Sequence, residues 1–301
     1  MSVSNFYGEM TNCGIEILEN EPLKNHTTFK IGGKAKYFAI PKSEKELSSI
    51  LRYARTFNKR TVVIGNGSNM LVTDDDIDAV FIYIGDKMSE ITLVDETTIK
   101  CRAGALLSRV CKFALENSLT GMEASFGIPG SVGGGLFMNA GAYGTEMKDY
   151  VVKAEYMTPD GETGECELED MALSYRHSIF SENGCIITNV YIKLKKGDKD
   201  DIKAKMADYM GRRKDKQPLE YPSAGSVFKR PEGYFAGALI EECGLKGKSV
   251  GGAQVSEKHA GFIINKGGAT CRDVVELIEF CRQTVMKEKG VDLETEIKVL
   301  S

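Results

Sequence analysis

Two segments of small, uncharged residues carry the residue types best suited to ligand chemistry in this sequence. Residues 125–144 read SFGIPGSVGGGLFMNAGAYG and include seven glycines but no charged side chain. Residues 65–69 read GNGSN and follow a short apolar run at 61–64. Small residues allow successive backbone N–H groups to converge on one anion, so both segments are candidates for holding a phosphate or pyrophosphate. The alternative for either segment is an ordinary turn.

A mixture of helices and strands is predicted to position these two segments. Ser43 and Glu46 have the spacing of a capping box, which predicts a helix over 43–58. Apolar residues at helical spacing predict further helices over 105–117, 201–216, 234–243 and 271–289. Strands are predicted over 61–64, 79–84, 91–94, 98–102, 150–157, 185–194, 262–264 and 295–300, the last containing Glu296. Because these elements alternate irregularly, the sequence predicts an α+β fold.

The composition excludes several classes of protein. With 42% hydrophobic residues, 27% charged residues and a net charge of −4, the chain gives no sign of a surface for nucleic acid. Its eight cysteines include no C-x-x-C pair, so we expect reduced thiols in a cytoplasmic protein. No apolar run is long enough for a membrane span, and the first residues lack the pattern of a signal peptide.

Several standard ligand motifs fail on their spacing. Residues 65–70 lack the third glycine of the dinucleotide-binding fingerprint, and residues 244–249 have too few residues between their glycines for a P-loop. Asp74, Asp76 and Asp78 alternate as calcium ligands do, but the residue after Asp78 is not the glycine that an EF-hand requires. The three histidines lie far apart, and no cysteine–histidine spacing suits zinc. We therefore predict no metal site.

A series of motifs, in the same order along the chain, resembles those of the UDP-N-acetylenolpyruvoylglucosamine reductase family. The two flavin-binding loops of that family are similar to residues 65–72 and 127–144. The other matches are NHTTFKIGG at 25–33, YRHSIF at 175–180, AGSVFK at 224–229 and LETEI at 293–297. One such motif would be weak, but their common order makes the resemblance specific. It extends over residues 20–301, nearly the whole chain.

This resemblance implies a two-part FAD-binding domain of the vanillyl-alcohol-oxidase type, followed by a C-terminal α+β substrate-binding domain. The predicted boundaries are 1–75 and 76–198 for the two FAD-binding subdomains and 199–301 for the substrate domain. The last strand, at 293–301, is expected to return to the FAD domain. The resemblance also implies a cytoplasmic reductase of peptidoglycan precursor synthesis. With FAD and NADPH, such an enzyme reduces UDP-N-acetylglucosamine enolpyruvate to UDP-N-acetylmuramate.

The resemblance assigns roles to individual residues. Arg176 would pair with the substrate carboxylate, Ser226 would protonate C2 after hydride from reduced flavin reaches C3, and Glu296 would donate to the enolate. The residues implied in FAD binding are Gly65, Asn66, Gly67, Ser68, Asn69, Gly127, Ile128, Pro129, Gly130, Ser131, Gly133, Gly134, Asn139 and Ala142. Those implied in substrate binding are Tyr175, Arg213, Lys216, Lys229 and Arg230. Without the resemblance, an exposed structural role is the simpler interpretation of the charged residues.

The spacing of the motifs distinguishes two forms of the family. Only 49 residues separate Arg176 from Ser226, too few for the loop and small subdomain that the long form inserts there. We therefore expect the short form, acting as a monomer on a nucleotide-sugar substrate. Two other functions stay open: an FAD oxidase that uses oxygen, and a nucleotide-sugar binder without flavin. An oxidase has no carbanion to protonate, so the motifs around Ser226 and Glu296 favour the reductase.

Overall fold

The computed structural model describes residues 5–301, which form an α+β fold. The α-helices are α1 Phe6–Asn12, α2 Glu44–Thr56, α3 Leu107–Glu116, α4 Val132–Phe137, α5 Lys199–Lys216, α6 Ala236–Glu242 and α7 Cys271–Lys289. Short 3₁₀ helices cover Leu23–Asn25, Asp86–Met88, Glu123–Gly127, Met147–Asp149, Leu168–Met171 and Ile179–Ser181. The strands are β1 Glu16–Pro22, β2 Lys34–Ile40, β3 Thr61–Ile64, β4 Met70–Val72, β5 Ile77–Tyr83, β6 Ile91–Leu93, β7 Thr98–Arg102, β8 Leu119–Thr120, β9 Gly141–Ala142, β10 Thr145–Glu146, β11 Val151–Met157, β12 Thr163–Glu167, β13 Ile186–Lys193, β14 Lys195–Lys196, β15 Ser249–Val250, β16 Ala253–Val255, β17 Ile263–Asn265 and β18 Lys298–Leu300.

The chain divides into two compact units, which we describe separately. The first unit comprises the described residues up to Glu19 together with 36–66 and 78–211. Its largest sheet is antiparallel, with the strand order β12-β11-β13-β7-β6. Helix α3 buries Leu107, Val110 and Ala114 in the apolar core of this unit. The short helix α4 lies against β13 and β7, so the glycine-rich segment is supported by the sheet.

A second sheet carries the shorter loop. Its strand order is β1-β2-β5-β3, and β3 runs parallel to β5 with Ile64 opposite Tyr83. Strand β3 ends at Ile64, and the GNGSN segment begins at the next residue. This segment therefore leaves the carboxyl end of a parallel strand, where ligand-binding loops of α/β sheets are commonly found.

The second unit comprises residues 20–35, 67–77 and 212–301. It contains an antiparallel sheet of order β15-β16-β17 and the helices α6 and α7, whose buried faces share one apolar core. Its last strand, β18, runs parallel to β4 with Val299 opposite Leu71. The chain thus returns at its end to a segment within residues 1–75. The predicted domain boundaries at 75 and 198 stay a prediction.

Many predicted elements are confirmed, and three of the differences have local causes. Helix α7 spans the predicted residues, and α2 begins after Ser43, whose Oγ accepts a hydrogen bond from Glu46 N at 3.2 Å. The first difference is α1, which no prediction covered; Asn5 caps it by accepting from Gly8 N at 2.8 Å. The second is α4, inside the segment predicted as a continuous loop, where Ser131 provides the N-cap.

The third difference concerns Glu296, which the sequence placed on the final strand. Strand β18 begins only at Lys298, whose N–H donates to Asn69 O at 2.9 Å. Glu296 N instead donates to Val227 O at 2.7 Å. The chain therefore changes its hydrogen-bonding partner between these two residues, and the strand pattern in the sequence spans that change.

The helices within residues 5–301 include none with both the length and the apolar character that a membrane span requires.

Candidate functional site

The two segments predicted to bind FAD contact each other within the first unit. Asn66 Nδ2 donates to Pro129 O at 2.6 Å, which joins the start of GNGSN to the glycine-rich segment. Gly65 lies so close to Ser131 that a Cβ added to it would stand 2.6 Å from Ser131 Oγ. The sequence suggested two separate anion cradles. The structure brings Gly65 and Asn66 against residues 129–131.

Two backbone donors in buried residues of the glycine-rich segment have no acceptor within the described part of the chain. Val132 N and Gly133 N donate to Ala105 O and Ala103 O, at 2.7 and 2.8 Å. The N–H groups of Gly130 and Ser131 have no hydrogen-bond acceptor within residues 5–301, although both residues are buried. Because unpaired buried N–H groups are costly and rare, a bound acceptor is expected here. A phosphate oxygen of FAD fits this uncharged donor pair.

The glycines of residues 125–144 serve mainly close packing. Only Gly144 has a positive φ, +83°, among the seven glycines of this fully described segment. A Cβ on Gly133 would stand 2.7 Å from Ala103 Cβ, and one on Gly135 would stand 3.1 Å from Leu107 Cδ1. Small size, rather than left-handed backbone, is therefore what α4 requires of its glycines in order to lie against its neighbours.

We expect Gly133→Ala to lower both stability and FAD content. The new methyl group would overlap Ala103, whose Cβ is 2.7 Å away, and the rearrangement should cost about 1–3 kcal/mol of unfolding free energy. Bound flavin absorbance and thermal unfolding measure the two effects. Gly144→Ala is the matched control: its Cβ would meet nothing within 4 Å, so only a backbone penalty at φ +83° is expected there. Equal flavin loss in both variants would contradict this assignment.

Asn139 and Ser178 tie the glycine-rich segment to the turn that carries Arg176. Asn139 is buried, and its Nδ2 donates to Ser174 O at 2.9 Å and to Glu146 Oε2 at 3.1 Å. Ser178 Oγ donates to Phe137 O at 2.7 Å. The sequence analysis did not assign a role to Ser178, although the residue lies within the YRHSIF motif. These bonds fix the turn relative to the segment predicted to hold FAD.

The predicted positions on either side of Asn139 lie in defined backbone elements. Gly127 ends a 3₁₀ helix, and Ile128 N donates to Ser125 O at 3.0 Å. Gly134 lies in α4, where its N–H donates to Ser131 Oγ at 3.3 Å. Ala142 lies in β9, opposite Thr145 of β10. These predicted positions therefore lie in hydrogen-bonded backbone elements.

Arg176 occupies a strained backbone conformation. Its φ is +56°, at the third position of a tight turn closed by two hydrogen bonds of 3.2 Å between the backbones of Ser174 and His177. Its guanidinium lies 4.8 Å from the centroid of the neighbouring Tyr175 ring. Glycine would adopt this backbone at no steric cost, whereas arginine pays about 1–2 kcal/mol. An arginine kept in this conformation favours a function for its side chain.

Ser226 and Glu296 lie close along one hydrogen-bonded ladder of the second unit. Ser226 forms an isolated bridge with Phe262, and Val227 N donates to Gly261 O at 2.9 Å. On the other side, Val227 O accepts from Glu296 N at 2.7 Å. The segment that carries Ser226 is thus held from both sides, and Glu296 is paired with the residue that follows it.

The second unit also contains the remainder of GNGSN. Gly67 has φ +58°, and a Cβ there would stand 2.0 Å from His26 O, so only glycine fits. Asn69 Nδ2 donates to Glu296 O at 3.2 Å. Ser68, between them, is half-buried. The loop predicted to bind flavin is therefore anchored directly to the backbone of a predicted catalytic residue.

The predicted substrate-binding cations lie in two places in the second unit. Lys229 pairs with Glu294, and its N–H donates to Glu294 O at 2.8 Å. Arg213 and Lys216 lie in the last turn of α5, where cations also interact favourably with the helix dipole. This placement is consistent with either interpretation of Arg213 and Lys216: that they contact the substrate, or that they form a solvated helix end. Arg230 is exposed, with its guanidinium 3.9 Å from the Phe235 ring centroid.

Groups suited to other chemistries have structural roles. All eight cysteines are free, and burial raises the pKa of the Cys271 thiol to about 11, which keeps it neutral. Asp74 accepts from Cys271 N at 2.9 Å, and Asp76 accepts from Lys34 N at 3.0 Å. Asp78 pairs with Lys36 and Lys59. Within residues 5–301, no cluster of three metal-ligating side chains is found.

Two family models match this chain. The model described as FAD binding domain matches residues 35–167. The model described as UDP-N-acetylenolpyruvoylglucosamine reductase, C-terminal domain, matches residues 217–300. The chain therefore has an FAD-binding domain followed by a C-terminal domain of this reductase type.

Curated relatives match along nearly their whole length. A UDP-N-acetylenolpyruvoylglucosamine reductase of Agathobacter rectalis is 48% identical over 295 residues, covering 94% of each chain. One of Streptococcus pyogenes is 46% identical, covering 95% of this chain and 97% of the relative. The crystal structure of UDP-N-acetylenolpyruvylglucosamine reductase from Thermus caldophilus has a TM-score of 0.81 at 35% identity, with 95% and 99% of the two chains covered.

A more distant structure bears on the fold alone. The glucooligosaccharide oxidase of Acremonium strictum has a TM-score of 0.50 at 12% identity, covering 98% of this chain and 60% of the oxidase. Together with the two family models, this likeness confirms the predicted fold class. The chain has an FAD-binding domain of the vanillyl-alcohol-oxidase type and a C-terminal α+β domain.

Proposed function

Because this chain belongs to the UDP-N-acetylenolpyruvoylglucosamine reductase family, we propose that it reduces UDP-N-acetylglucosamine enolpyruvate to UDP-N-acetylmuramate with FAD and NADPH. The observation that carries the proposal is the strained turn of Arg176, tied by Asn139 to the glycine-rich segment. A protein that only binds a nucleotide sugar does not require a strained cation beside the segment predicted to hold flavin. Reduction of the enolpyruvyl group requires such a cation to stabilise the charge on its carboxylate.

The residues that would hold FAD follow from the donors without acceptors. The N–H groups of Gly130 and Ser131 suit its pyrophosphate. Gly65 lies too close to Ser131 to carry a side chain, so no side chain at position 65 occupies the space beside Ser131. When bound, FAD would supply the hydride for the substrate, and NADPH would be the source of that hydride. The other groups of the reaction come from the chain itself.

Three side chains divide the remaining chemistry. Arg176 pairs with the substrate carboxylate through its planar fork and so stabilises the negative charge that develops on C2 and the carboxylate. Ser226 delivers a proton to C2, and Glu296, with its carboxyl protonated, donates a hydrogen bond to the enolate oxygen. A serine hydroxyl is a weak acid, so this step requires a strongly basic carbanion. Reduction of an unsaturated ether conjugated to a carboxylate produces one.

Anaerobic mixing tests the proposed function directly. Protein whose flavin has been bleached by NADPH is mixed with UDP-N-acetylglucosamine enolpyruvate, and the flavin absorbance band is followed. Recovery of the band together with one equivalent of UDP-N-acetylmuramate is expected. Recovery only after admission of oxygen would identify an oxidase. A colourless protein that takes up no added FAD would identify a binder and overturn the proposal.

Replacing both Arg213 and Lys216 by alanine should raise the KM for the nucleotide-sugar substrate about tenfold, because two contacts to its pyrophosphate are removed. FAD content should change little. Steady-state kinetics and the flavin-to-protein absorbance ratio measure these quantities. Lys203 and Lys205, exposed on the same helix, provide a matched control with equal loss of charge. Equal KM values in the two double variants would show that Arg213 and Lys216 do not contact the substrate and only form a solvated helix end.

We further propose that the enzyme acts as a monomer in the cytoplasm. Eight unpaired cysteines suit a reducing compartment.

A further inference from the structure

We propose that Tyr234 and Phe235, here called the aromatic pair, bind the uracil ring of the nucleotide-sugar substrate. The pair lies in the second unit, between the ladder that carries Ser226 and helix α6. This inference rests on the function proposed above. It adds a place for the base, which none of the residues discussed so far provides.

The aromatic pair exposes an unusual amount of apolar surface. Phe235 is 61% exposed, the highest value for a large hydrophobic side chain within residues 5–301, and Tyr234 is 50% exposed. Within the same residues, the Tyr234 side chain forms no hydrogen bond and no contact with another aromatic ring or a cation. Two consecutive exposed aromatic residues favour a binding surface over a contribution to the core.

The local structure does not explain why Phe235 is a phenylalanine. Phe235 is the N-cap of α6, with φ −119° and ψ 120°, and no side chain caps the helix. Serine, threonine, asparagine or aspartate would satisfy a free N–H group at this position. The chain therefore gives up helix stability and exposes an apolar ring at the same residue. A ligand that covers the ring would offset both costs.

A cation beside the aromatic pair indicates the chemistry of that ligand. The Arg230 guanidinium lies 3.9 Å from the Phe235 ring centroid and covers part of that ring. The exposed remainder can stack on a second flat ring, and the Arg230 guanidinium suits phosphate oxygens. A flat ring with adjacent negative charge describes a nucleoside diphosphate, and the substrate proposed above contains one.

The backbone fixes the aromatic pair to the ladder that carries Ser226. Lys229 N donates to Glu294 O at 2.8 Å, and the chain then turns, with Tyr234 N donating to Pro231 O at 3.1 Å. Gly233 has φ +75°, which this turn requires. A binding surface on such a short, hydrogen-bonded turn can hold one end of a substrate whose other end reacts near Ser226.

The test uses the FAD-loaded enzyme and the variant Phe235→Ser. This variant removes the ring but supplies a good N-cap, so the midpoint of thermal unfolding should be unchanged or higher. The KM for the nucleotide-sugar substrate should rise about tenfold, while the KM for NADPH stays the same. Calorimetric titration with UDP alone should show a similar loss of affinity. Tyr234→Ala should act in the same direction.

Phe280→Ala is the matched control. Phe280 lies on α7, is 39% exposed and has Lys248 Nζ 4.8 Å from its ring centroid, so it resembles the Phe235–Arg230 arrangement elsewhere in the unit. Its replacement should leave every KM unchanged.

Three outcomes would overturn the inference. Unchanged substrate KM and UDP affinity in both Phe235→Ser and Tyr234→Ala would show that the pair binds no base. A rise confined to the KM for NADPH would assign the surface to adenine. A change in oligomeric state with unchanged kinetics would make it a contact between copies. Absence of turnover in the unaltered enzyme would instead refute the proposed function, and UDP titration separates the two failures.

Discussion

Ser226→Ala should leave reduction of the flavin by NADPH intact and block its reoxidation by the enolpyruvyl substrate. The two half-reactions differ because only the second requires a proton at C2. Loss of a positioned proton donor should slow that half-reaction by about 10²–10⁴-fold. Stopped-flow absorbance at the flavin band measures both rates on the same sample. The substitution removes one oxygen atom from a segment held by Gly261 and Glu296 through backbone bonds, so the fold should persist.

Ser223→Ala provides the control for this result. Ser223 lies three residues earlier, and the contact that the structure gives it uses its carbonyl oxygen, which accepts from Thr28 Oγ1 at 2.6 Å. Both half-reactions should therefore stay close to those of the unaltered enzyme. Normal reoxidation of the flavin in Ser226→Ala would show that Ser226 is not the proton donor. Equal slowing of reoxidation in Ser226→Ala and Ser223→Ala would indicate a structural effect.

Arg176→Gly should separate activity from stability. Activity should fall by about 10²–10³-fold, since the charge that stabilises the carboxylate is lost. Glycine relieves about 1–2 kcal/mol of backbone strain at φ +56°, which offsets the loss of the side-chain contacts of Arg176, among them the contact with Tyr175, so the free energy of unfolding should change little. Arg176→Lys should retain the positive charge but not the planar guanidinium, so its activity should lie between those of the unaltered enzyme and of Arg176→Gly.

Ala172→Gly is the control for the backbone effect. Ala172 has φ +49° and lies exposed in the same segment, four residues before Arg176. Its substitution should raise stability through the same relief of strain and leave activity unchanged. Denaturant unfolding and steady-state assays give both quantities. An active Arg176→Gly enzyme would show that the guanidinium does not bind the carboxylate.

The sequence by itself determined many of the local elements and the family. Helix α7 could be predicted because its apolar spacing, its cap at Thr270 and its final Gly290 all agree. The fold class and the reductase family could be predicted because the motifs and their order along the chain are present in the sequence itself. The roles of Arg176, Ser226 and Glu296 stay predictions, and the experiments above address them.

The tertiary structure decided how distant residues support one another. The glycine-rich segment was expected to offer a continuous row of donors. Instead, Val132 N and Gly133 N are already used by Ala105 O and Ala103 O. Sequence spacing cannot show which N–H groups other strands occupy. Nor could it show that Gly133 must be small because Ala103 lies beside it.

Backbone strain was equally invisible in the sequence. Nothing in the letters around Arg176 signals a left-handed conformation, because the turn is held by contacts with a distant segment: Asn139 Nδ2 donates to Ser174 O, and Ser178 Oγ donates to Phe137 O. The same holds for Phe235, whose exposure depends on where α6 begins. Sequence patterns report what a segment prefers by itself, whereas contacts between distant segments decide which preferences are overridden and which side chains remain available for a ligand.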